Sequence, residues 1–182
     1  MAFDRSDAGS QGLWHGESAG RTNPGWIASG AVLDEPGHCL SFDGAGEYAT
    51  VPVNINRPNL GALTLSAWVK RTGAVANPFA CLAGNGDGTG QDQGIAIDSA
   101  GNYVLFADSA IDTGAASEPN VWEHVAAVIS GSRIAFYKNG VEAYSQETGA
   151  APSSGSANLA IGAREGGQYP FAGMIDDLRV WN

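Results

Sequence analysis

The residue types with the clearest chemical potential lie in one glycine-rich loop. It runs Asn85-Gly-Asp-Gly-Thr-Gly-Gln-Asp-Gln-Gly94, and its side-chain oxygen donors include Asn85, Asp87 and Asp92. Hard cations such as calcium take about six to eight oxygen ligands, often from alternating loop positions. The spacing is similar to the start of an EF-hand loop, but the twelfth position is Ala96 rather than glutamate, which excludes an EF-hand. The loop is therefore a candidate for calcium or a polar ligand, and the alternative is a solvated polar turn.

Two aromatic side chains are candidates for contact with a ligand. Trp68 alternates with Thr64 and Lys70, so it faces the more polar side of its segment, and Tyr169 lies in the glycine-rich stretch that begins at Glu165. An exposed ring of this kind can stack on the apolar face of a pyranose while its polar atom makes a hydrogen bond. The alternative for both is packing within the fold. Four other aromatic residues in strand-like runs are predicted to be core: Phe42, Trp122, Phe136 and Trp181.

Short runs of branched and aromatic residues, separated by glycine, serine and asparagine, must position these side chains. Leu63, Leu65, Ala67 and Val69 share one face of their run, the period of two that is typical of a strand. Asn139-Gly140 between two apolar runs predicts a type I′ hairpin turn, which needs a positive φ at both residues. The pattern predicts an all-β fold, a two-sheet antiparallel sandwich. The predicted strands are 39–43, 47–53, 63–71, 78–83, 94–98, 102–107, 121–130, 133–138, 141–146, 157–162 and 171–181.

Composition places limits on the organisation of the chain. Its 182 residues predict a single domain over 1–182, with 1–37 as an irregular lead-in containing one or two short strands and 38–182 as the main sandwich. No apolar run is long enough to span a bilayer, and the N-terminal residues do not form a signal peptide. The net charge of -10, with only nine Lys and Arg residues, argues against nucleic acid and anionic membranes as partners. The acidity serves solubility, or some of the carboxylates hold a cation.

The cysteines and histidines give little support to catalysis. Cys39 and Cys81 each lie in an apolar run, so buried free thiols are expected, with a disulfide as the alternative. The three histidines lie beside no nucleophile motif and form no zinc pair. A Glu-x-Asp-x-x-Glu segment, which would supply the carboxylate pair for retaining glycoside hydrolysis, is missing from the sequence. The chain is therefore predicted not to be an enzyme.

Several segments resemble the laminin-G-like and pentraxin-like jelly-roll domains of the concanavalin-A-like lectin/glucanase superfamily. They are Cys39-Leu-Ser-Phe-Asp-Gly44 with Glu47-Tyr-Ala-Thr-Val-Pro52, Leu63-Thr-Leu-Ser-Ala-Trp-Val-Lys70, and the closing Phe171–Trp181 segment. The resemblance implies a jelly-roll sandwich. It also implies that the pentraxin disulfide is absent, because its two positions match Ser66 and Ala126.

The resemblance also implies two sets of site residues. In pentraxins the loop that matches 85–94 shares a calcium site with a second loop, whose matching residues are Glu165 and Gln168 in this chain. In related sandwich glucanases an aspartate at the position of Asp176 helps to bind a structural calcium. Asp43 and Asp4 are the candidates to complete that site, and the alternative is that Asp176 or Asp177 caps a turn or pairs with Arg179.

Together these features predict a non-catalytic carbohydrate-binding or adhesion module, with calcium as an assisting ion and a glycan or polysaccharide as partner. The alternative is a structural domain that decorates a larger assembly, such as a virion surface or tail, and binds protein partners. An extracellular, cell-surface or virion-associated location follows from either hypothesis. The predicted carbohydrate-binding residues are Asn85, Asp87, Asp92, Glu165, Tyr169 and Trp68, and the predicted metal ligands are Asp4, Asp43 and Asp176.

Overall fold

The computed structural model describes residues 13–15, 25–28, 38–56, 61–86, 93–107, 109–147, 155–156 and 158–182, with backbone only for 13–15, 25–28 and 38. Its regular elements are fourteen β-strands in two seven-stranded antiparallel sheets. Within these ranges there is no helix of the length and apolarity needed to cross a membrane. The predicted all-β jelly-roll sandwich is confirmed.

Sheet I has the strand order β1-β4-β13-β6-β7-β8-β9. Its strands are β1 (Leu13–His15), β4 (Tyr48–Val51), β6 (Phe79–Gly84), β7 (Gln93–Asp98), β8 (Asn102–Ala107), β9 (Ala110–Ala116) and β13 (Leu159–Ile161).

Sheet II has the order β12-β11-β10-β5-β14-β3-β2. Its strands are β2 (Gly25–Ala28), β3 (His38–Asp43), β5 (Ala62–Arg71), β10 (Glu123–Ser130), β11 (Arg133–Lys138), β12 (Val141–Glu147) and β14 (Ala172–Trp181).

The core lies between the sheets and follows the alternation of the sequence. Leu63, Leu65, Ala67 and Val69 on β5 are all buried, whereas Trp68 is only partly buried on the opposite face. The two sheets meet where Tyr103 and Phe136 pack with ring centroids 5.2 Å apart. Large apolar side chains from both sheets interdigitate in such a core, and their removal from water provides the main driving force for folding.

The hairpin turn and the two cysteines have the local structure that the sequence predicts. Asn139 and Gly140 join β11 to β12 with φ values of 51° and 78°, as a type I′ turn requires. Cys39 and Cys81 are buried free thiols, and Ser66 lies directly opposite Ala126 in the β5–β10 pair. The two short strands expected in the lead-in are β1 and β2.

Two of the four core predictions for aromatic residues fail, and one strand was missed. Phe42 and Phe136 are core residues as expected, but Trp122 is only partly buried and lies outside the core, and Trp181 is 50% exposed. It lies at the end of β14 on the face that points away from the core, because Leu178 and Val180 occupy the core positions of that strand. β9 was not predicted, because its sequence Ala110-Ile-Asp-Thr-Gly-Ala-Ala116 has little apolar content, and only Thr113 of this edge strand is buried.

Candidate functional site

The base of the glycine-rich loop is fixed by Asn85, which follows β6 and is fully buried. Its side-chain Oδ1 accepts a hydrogen bond from the Gln93 N–H at 2.8 Å, and its own N–H donates to the Gln93 carbonyl at 3.0 Å. These bonds close the loop at both ends. Asp87 and Asp92 belong to the segment between these ends, outside the described residues.

Asn85 also connects two distant segments to the loop. Its Nδ2 donates to Asn56 Oδ1 at 2.6 Å, and its carbonyl accepts the Ser156 N–H at 2.9 Å. Asn56 Oδ1 in turn accepts the Gly155 N–H at 2.8 Å. A buried amide whose donor and acceptor are both used inside the protein holds the backbone in place. The expected role of Asn85 as a ligand contact is therefore corrected: it is a positioning residue beneath the loop.

Glu165 is brought to the same end of sheet I. Its exposed carboxylate accepts a hydrogen bond from the Ser156 hydroxyl at 2.7 Å, and the backbone N–H of Ser156 binds Asn85. The segments around residues 85, 156 and 165 therefore form one connected cluster. Ser156 thus connects Glu165 to Asn85 at the base of the loop.

Tyr169 lies four residues after Glu165, and its ring is part of an aromatic cluster. It meets Phe79 edge to face with centroids 6.0 Å apart, and Phe79 meets Phe106 in the same way at 5.1 Å. The guanidinium of Arg164 lies 4.8 Å from the centroid of Tyr169 and 5.1 Å from that of Phe106, within the range of cation–π attraction. Tyr169 is held in place by its backbone carbonyl, which accepts the Cys81 N–H at 2.8 Å.

We call the surface formed by the exposed parts of Phe79, Arg164, Glu165 and Tyr169 the loop surface; Phe106, which is 7% exposed, lies buried beneath it. The loop surface lies on the outside of β6 and β8, away from the core. Only Glu165 and Tyr169 were predicted. Arg164 and the two phenylalanines were not among the predicted site residues. The alternation of β8 could have identified Phe106, because Tyr103 and Leu105 occupy its core positions.

The loop surface is shallow. The depression between the Arg164 side chain and the loop base has a volume of about 10 Å³ and is bordered by Gly84, Gly86 and Gln93. A space of that size holds about one water molecule, so a ligand here would lie on the surface rather than in a closed pocket.

Beneath the loop surface the thiol of Cys81 is neutral. Burial raises its pKa to about 12, against a smaller opposing effect of Arg164. Since the thiolate is the nucleophilic form, Cys81 is a packing residue and does not supply reactive chemistry at neutral pH.

Trp68 is not part of the loop surface. It lies on β5 of sheet II, where its direct cross-strand neighbours are His124 on β10 and Asp176 on β14. The set of six predicted carbohydrate-binding residues is therefore divided. Asn85 and Glu165 are linked through Ser156 at the loop end of sheet I, and Tyr169 contacts Phe79 and Cys81 on β6 of the same sheet. Trp68 lies on the other sheet, and Asp87 and Asp92 are outside the described residues.

The predicted metal ligands Asp43 and Asp176 do not come together. Asp43 pairs with Ala172 on β14. Asp176 is therefore four positions further along that strand, about 13 Å away at about 3.3 Å per residue. One calcium ion needs its oxygens at about 2.3–2.6 Å, so these two carboxylates do not share an ion in this arrangement.

The carboxylate oxygens of Asp43 and Asp176 also make local bonds. Asp43 Oδ1 accepts the Ala45 N–H, and Asp176 Oδ1 accepts the Asp177 N–H, both at 2.8 Å. Over the part of the chain described, no group of three or more His, Cys, Asp or Glu side chains is arranged to hold a metal ion. Asp4 lies outside that part.

A comparison with known protein families identifies the superfamily to which this fold belongs. A laminin-G family model, described as the concanavalin A-like lectin/glucanases superfamily, matches residues 43–182. The chain belongs to this superfamily. The match covers every strand from β4 onward, including the segments that carry the loop surface. No curated protein sequence matches the chain.

Several solved structures share the fold at low sequence identity. Domain 4 of AbnA, a GH43 extracellular arabinanase from Geobacillus stearothermophilus solved with arabinotriose, has a TM-score of 0.66 and 18% identity over 95% of this chain and 81% of that one. The Trypanosoma rangeli sialidase in complex with the inhibitor DANA has a TM-score of 0.59 and 20% identity, and the match covers 81% of this chain and 26% of that one. A putative carbohydrate binding protein from Bacteroides ovatus has a TM-score of 0.54 and 19% identity over 66% of this chain and 37% of that one.

Proposed function

We propose that this protein is a non-catalytic carbohydrate-binding module that holds a glycan on the loop surface. The observation that carries the proposal is that one short segment, 164–169, presents the partly exposed ring of Tyr169 with the Arg164 guanidinium 4.8 Å from its centroid, and the exposed carboxylate of Glu165 follows Arg164 in the chain. A sugar ring presents apolar C–H faces together with hydroxyl groups, so it needs an aromatic surface and hydrogen-bonding groups at the same place.

The position of the surface supports this function. Loops held by a rigid scaffold are where binding residues concentrate, and here the Asn85 network ties the 85–93 loop and the 155–165 segment to the sandwich. The fixed loop base lowers the conformational entropy that would be lost on binding. The shared superfamily and the fold similarity to a domain solved with arabinotriose are consistent with a glycan ligand.

The test is a glycan array run with and without calcium, followed by titration of the strongest glycan into three variants. Tyr169→Asn removes the ring and retains a residue type that tolerates the observed φ of 52°. Glu165→Gln removes the exposed charge. Glu142→Gln on β12 is the matched control, because it makes the same charge change on sheet II.

We expect Tyr169→Asn to weaken binding about tenfold, equivalent to about 1.4 kcal/mol, and Glu165→Gln to weaken it measurably, with the control unchanged. Equal affinities for all three variants would show that the loop surface does not bind the glycan. The bound glycan should also remain intact, and release of shorter products that stops on mutation of one carboxylate would overturn the non-catalytic assignment.

A further inference from the structure

The outer face of sheet II carries an exposed tryptophan. Trp181 is the penultimate residue, it is 50% exposed, and it lies directly opposite Thr64 in the β14–β5 pair. A single exposed indole is not unusual on a protein surface, but a second indole on the same face would give an aromatic surface on which a ligand can stack.

A second indole lies on the same face. Trp68 is four positions beyond Thr64 on β5, which places it about 13 Å from Trp181 along the strand direction. Its ring is held edge to face by His124 with centroids 5.4 Å apart. Since Leu65, Ala67 and Val69 fill the core positions of β5, the Trp68 side chain is directed to the outside of the sheet.

Polar groups lie between the two tryptophans. Arg179 pairs with Ser66, which is midway between Thr64 and Trp68, and its Nε donates to Asp177 Oδ1 at 2.8 Å. The side chain of Arg179 is 42% exposed and that of Asp177 is 24% exposed. The pair exists because β14 has an irregularity between Asp176 and Arg179, with Asp177 at a φ of 47°. Such bulges change the direction in which side chains point from an otherwise regular strand.

We propose that Trp68, Arg179, Asp177 and Trp181 form a second binding surface, for an extended, uncharged oligosaccharide chain. Two separated indoles offer stacking positions for two sugar rings of one chain, and the ion pair between them offers donors and acceptors for hydroxyl groups. The same face carries Asp176 opposite Trp68 and Lys70 two positions beyond it, so the two carboxylates of this face are offset by two cationic side chains, which favours a neutral ligand over an anionic one.

Other occupants fit this face less well. A protein partner or a second copy would need an interface core that is apolar and depleted of charge, whereas here an ion pair separates the two indoles. Nucleic acid needs several uncompensated Lys and Arg side chains, and the net charge of -10 opposes its approach. The assignment does not depend on the loop surface and would stand without it.

The test uses the full chain and a panel of soluble neutral polysaccharides, namely arabinan, xylan, mixed-linkage β-glucan and galactomannan, in affinity electrophoresis and titration. The variants are Trp181→Ala and Trp68→Ala, with Val141→Ala as the control because Val141 is 69% exposed on β12 away from this face. Tyr169→Asn serves as the variant of the loop surface. Circular dichroism of each variant establishes that it is folded.

We expect Trp181→Ala to weaken binding to a long polysaccharide about tenfold or more, and Trp68→Ala to weaken it by a similar or larger factor, while the control binds like the wild type. Short oligosaccharides that reach only one indole should bind more weakly than long ones. Arg179→Ala, which also removes the pair with Asp177, should bind the polysaccharide more weakly than the wild type and should keep the fold.

The outcomes separate the two surfaces. If only Tyr169→Asn lowers the affinity, the sheet II surface is wrong and the loop surface stands. If only the tryptophan variants lower the affinity, the loop surface is wrong and the sheet II surface stands. If the wild type binds none of the polysaccharides, the sheet II surface is wrong. A dimer in sedimentation equilibrium that Trp181→Ala converts to a monomer would also overturn the proposal, because the face would then be an interface between copies.

Discussion

At the scale of single residues, the structure separates side chains that hold the fold from side chains that are exposed at its surface. Asn85 is a residue type that often contacts ligands, but it has the environment of a core residue. Its side-chain amide is buried and makes hydrogen bonds within the protein through both its oxygen and its nitrogen. Trp181 is a residue type that is often found in a core, but it lies at the surface. Residue type alone does not distinguish these cases, because the same amide or indole serves either role according to what surrounds it.

The buried thiol of Cys81 gives a prediction about pH. Its pKa is raised from 9.0 to about 12 in the folded protein by burial. The native state therefore keeps a proton that the unfolded state releases, so this contribution to stability is complete below pH 9 and declines as the pH rises towards 12. The loss is at most about 1.4 kcal/mol per pH unit.

Urea unfolding of the wild type and of Cys81→Ala at several pH values from 7 to about 10.5 checks this, in line with the linkage relation. The wild type should be the more stable protein at pH 7, because the alanine leaves a cavity. Its advantage should shrink steadily above pH 9. Stability curves that stay parallel over the whole range would show that the thiol is not the group responsible.

At the scale of the elements, turns and edges decide how the strands are held. The β11–β12 hairpin is fixed by its two-residue turn and also by Asn139, whose Oδ1 accepts the His124 N–H at 2.8 Å and whose N–H donates to the His124 carbonyl at 2.7 Å. The turn therefore continues the pairing of β10 beyond the end of β11. Since His124 packs against Trp68, this hairpin also supports the outer face of sheet II.

Two variants of Asn139 separate its roles. Asn139→Gly keeps the positive φ and removes only the side-chain bond to His124, so the free energy of unfolding should fall by about 1 kcal/mol. Asn139→Ala together with Gly140→Ala also strains the turn and should lower it by roughly 1–3 kcal/mol. Denaturant midpoints measure both changes. A double variant with an unchanged midpoint would show that the turn does not need left-handed residues.

At the scale of the whole molecule, the sandwich presents two separate surfaces, one at the loop end of sheet I and one on the outer face of sheet II. A rigid two-sheet core suits this arrangement, because each surface is held by strands that also contribute to the same buried interior. The net charge of -10 keeps the protein soluble and favours uncharged ligands over anionic ones.

Calcium binding is a prediction about the whole molecule, since an ion that binds only the native state stabilises all of it. A free concentration of about 100 times Kd adds about 2.7 kcal/mol to the free energy of unfolding. Because Asp43 and Asp176 lie far apart, we place the ion at the loop end, with Asp87, Asp92 and Glu165 as ligands.

Melting temperatures in calcium and in chelator test this placement. Calcium should raise the melting temperature of the wild type and of Asp176→Asn, and should have little effect on the double variant Asp87→Asn, Asp92→Asn. If the double variant responds to calcium like the wild type, the ion does not bind at this loop. If chelator changes nothing in the wild type, the acidic loop is a solvated turn.

The sequence alone determined the class of the fold and most of its strands. The period of two on β5 predicted which face is buried, and Asn139-Gly140 predicted the hairpin, because both depend on near neighbours in the chain. β9 could not be predicted, since an edge strand with one buried side chain needs no apolar pattern. The family match over residues 43–182 agrees with the resemblance seen in the strand motifs.

Only the tertiary structure decided which candidate residues lie on the same part of the surface. Glu165 lies near Asn85 because Ser156 makes hydrogen bonds to both. Trp68 and Trp181 share one face of sheet II because β5 pairs with β14, a strand more than a hundred residues away in the sequence. The two aspartates expected to share a metal are kept apart by the same register. The physical reason is that strand pairing between distant segments is set by the packing of the whole core, so no local pattern records which side chains become neighbours on its surface.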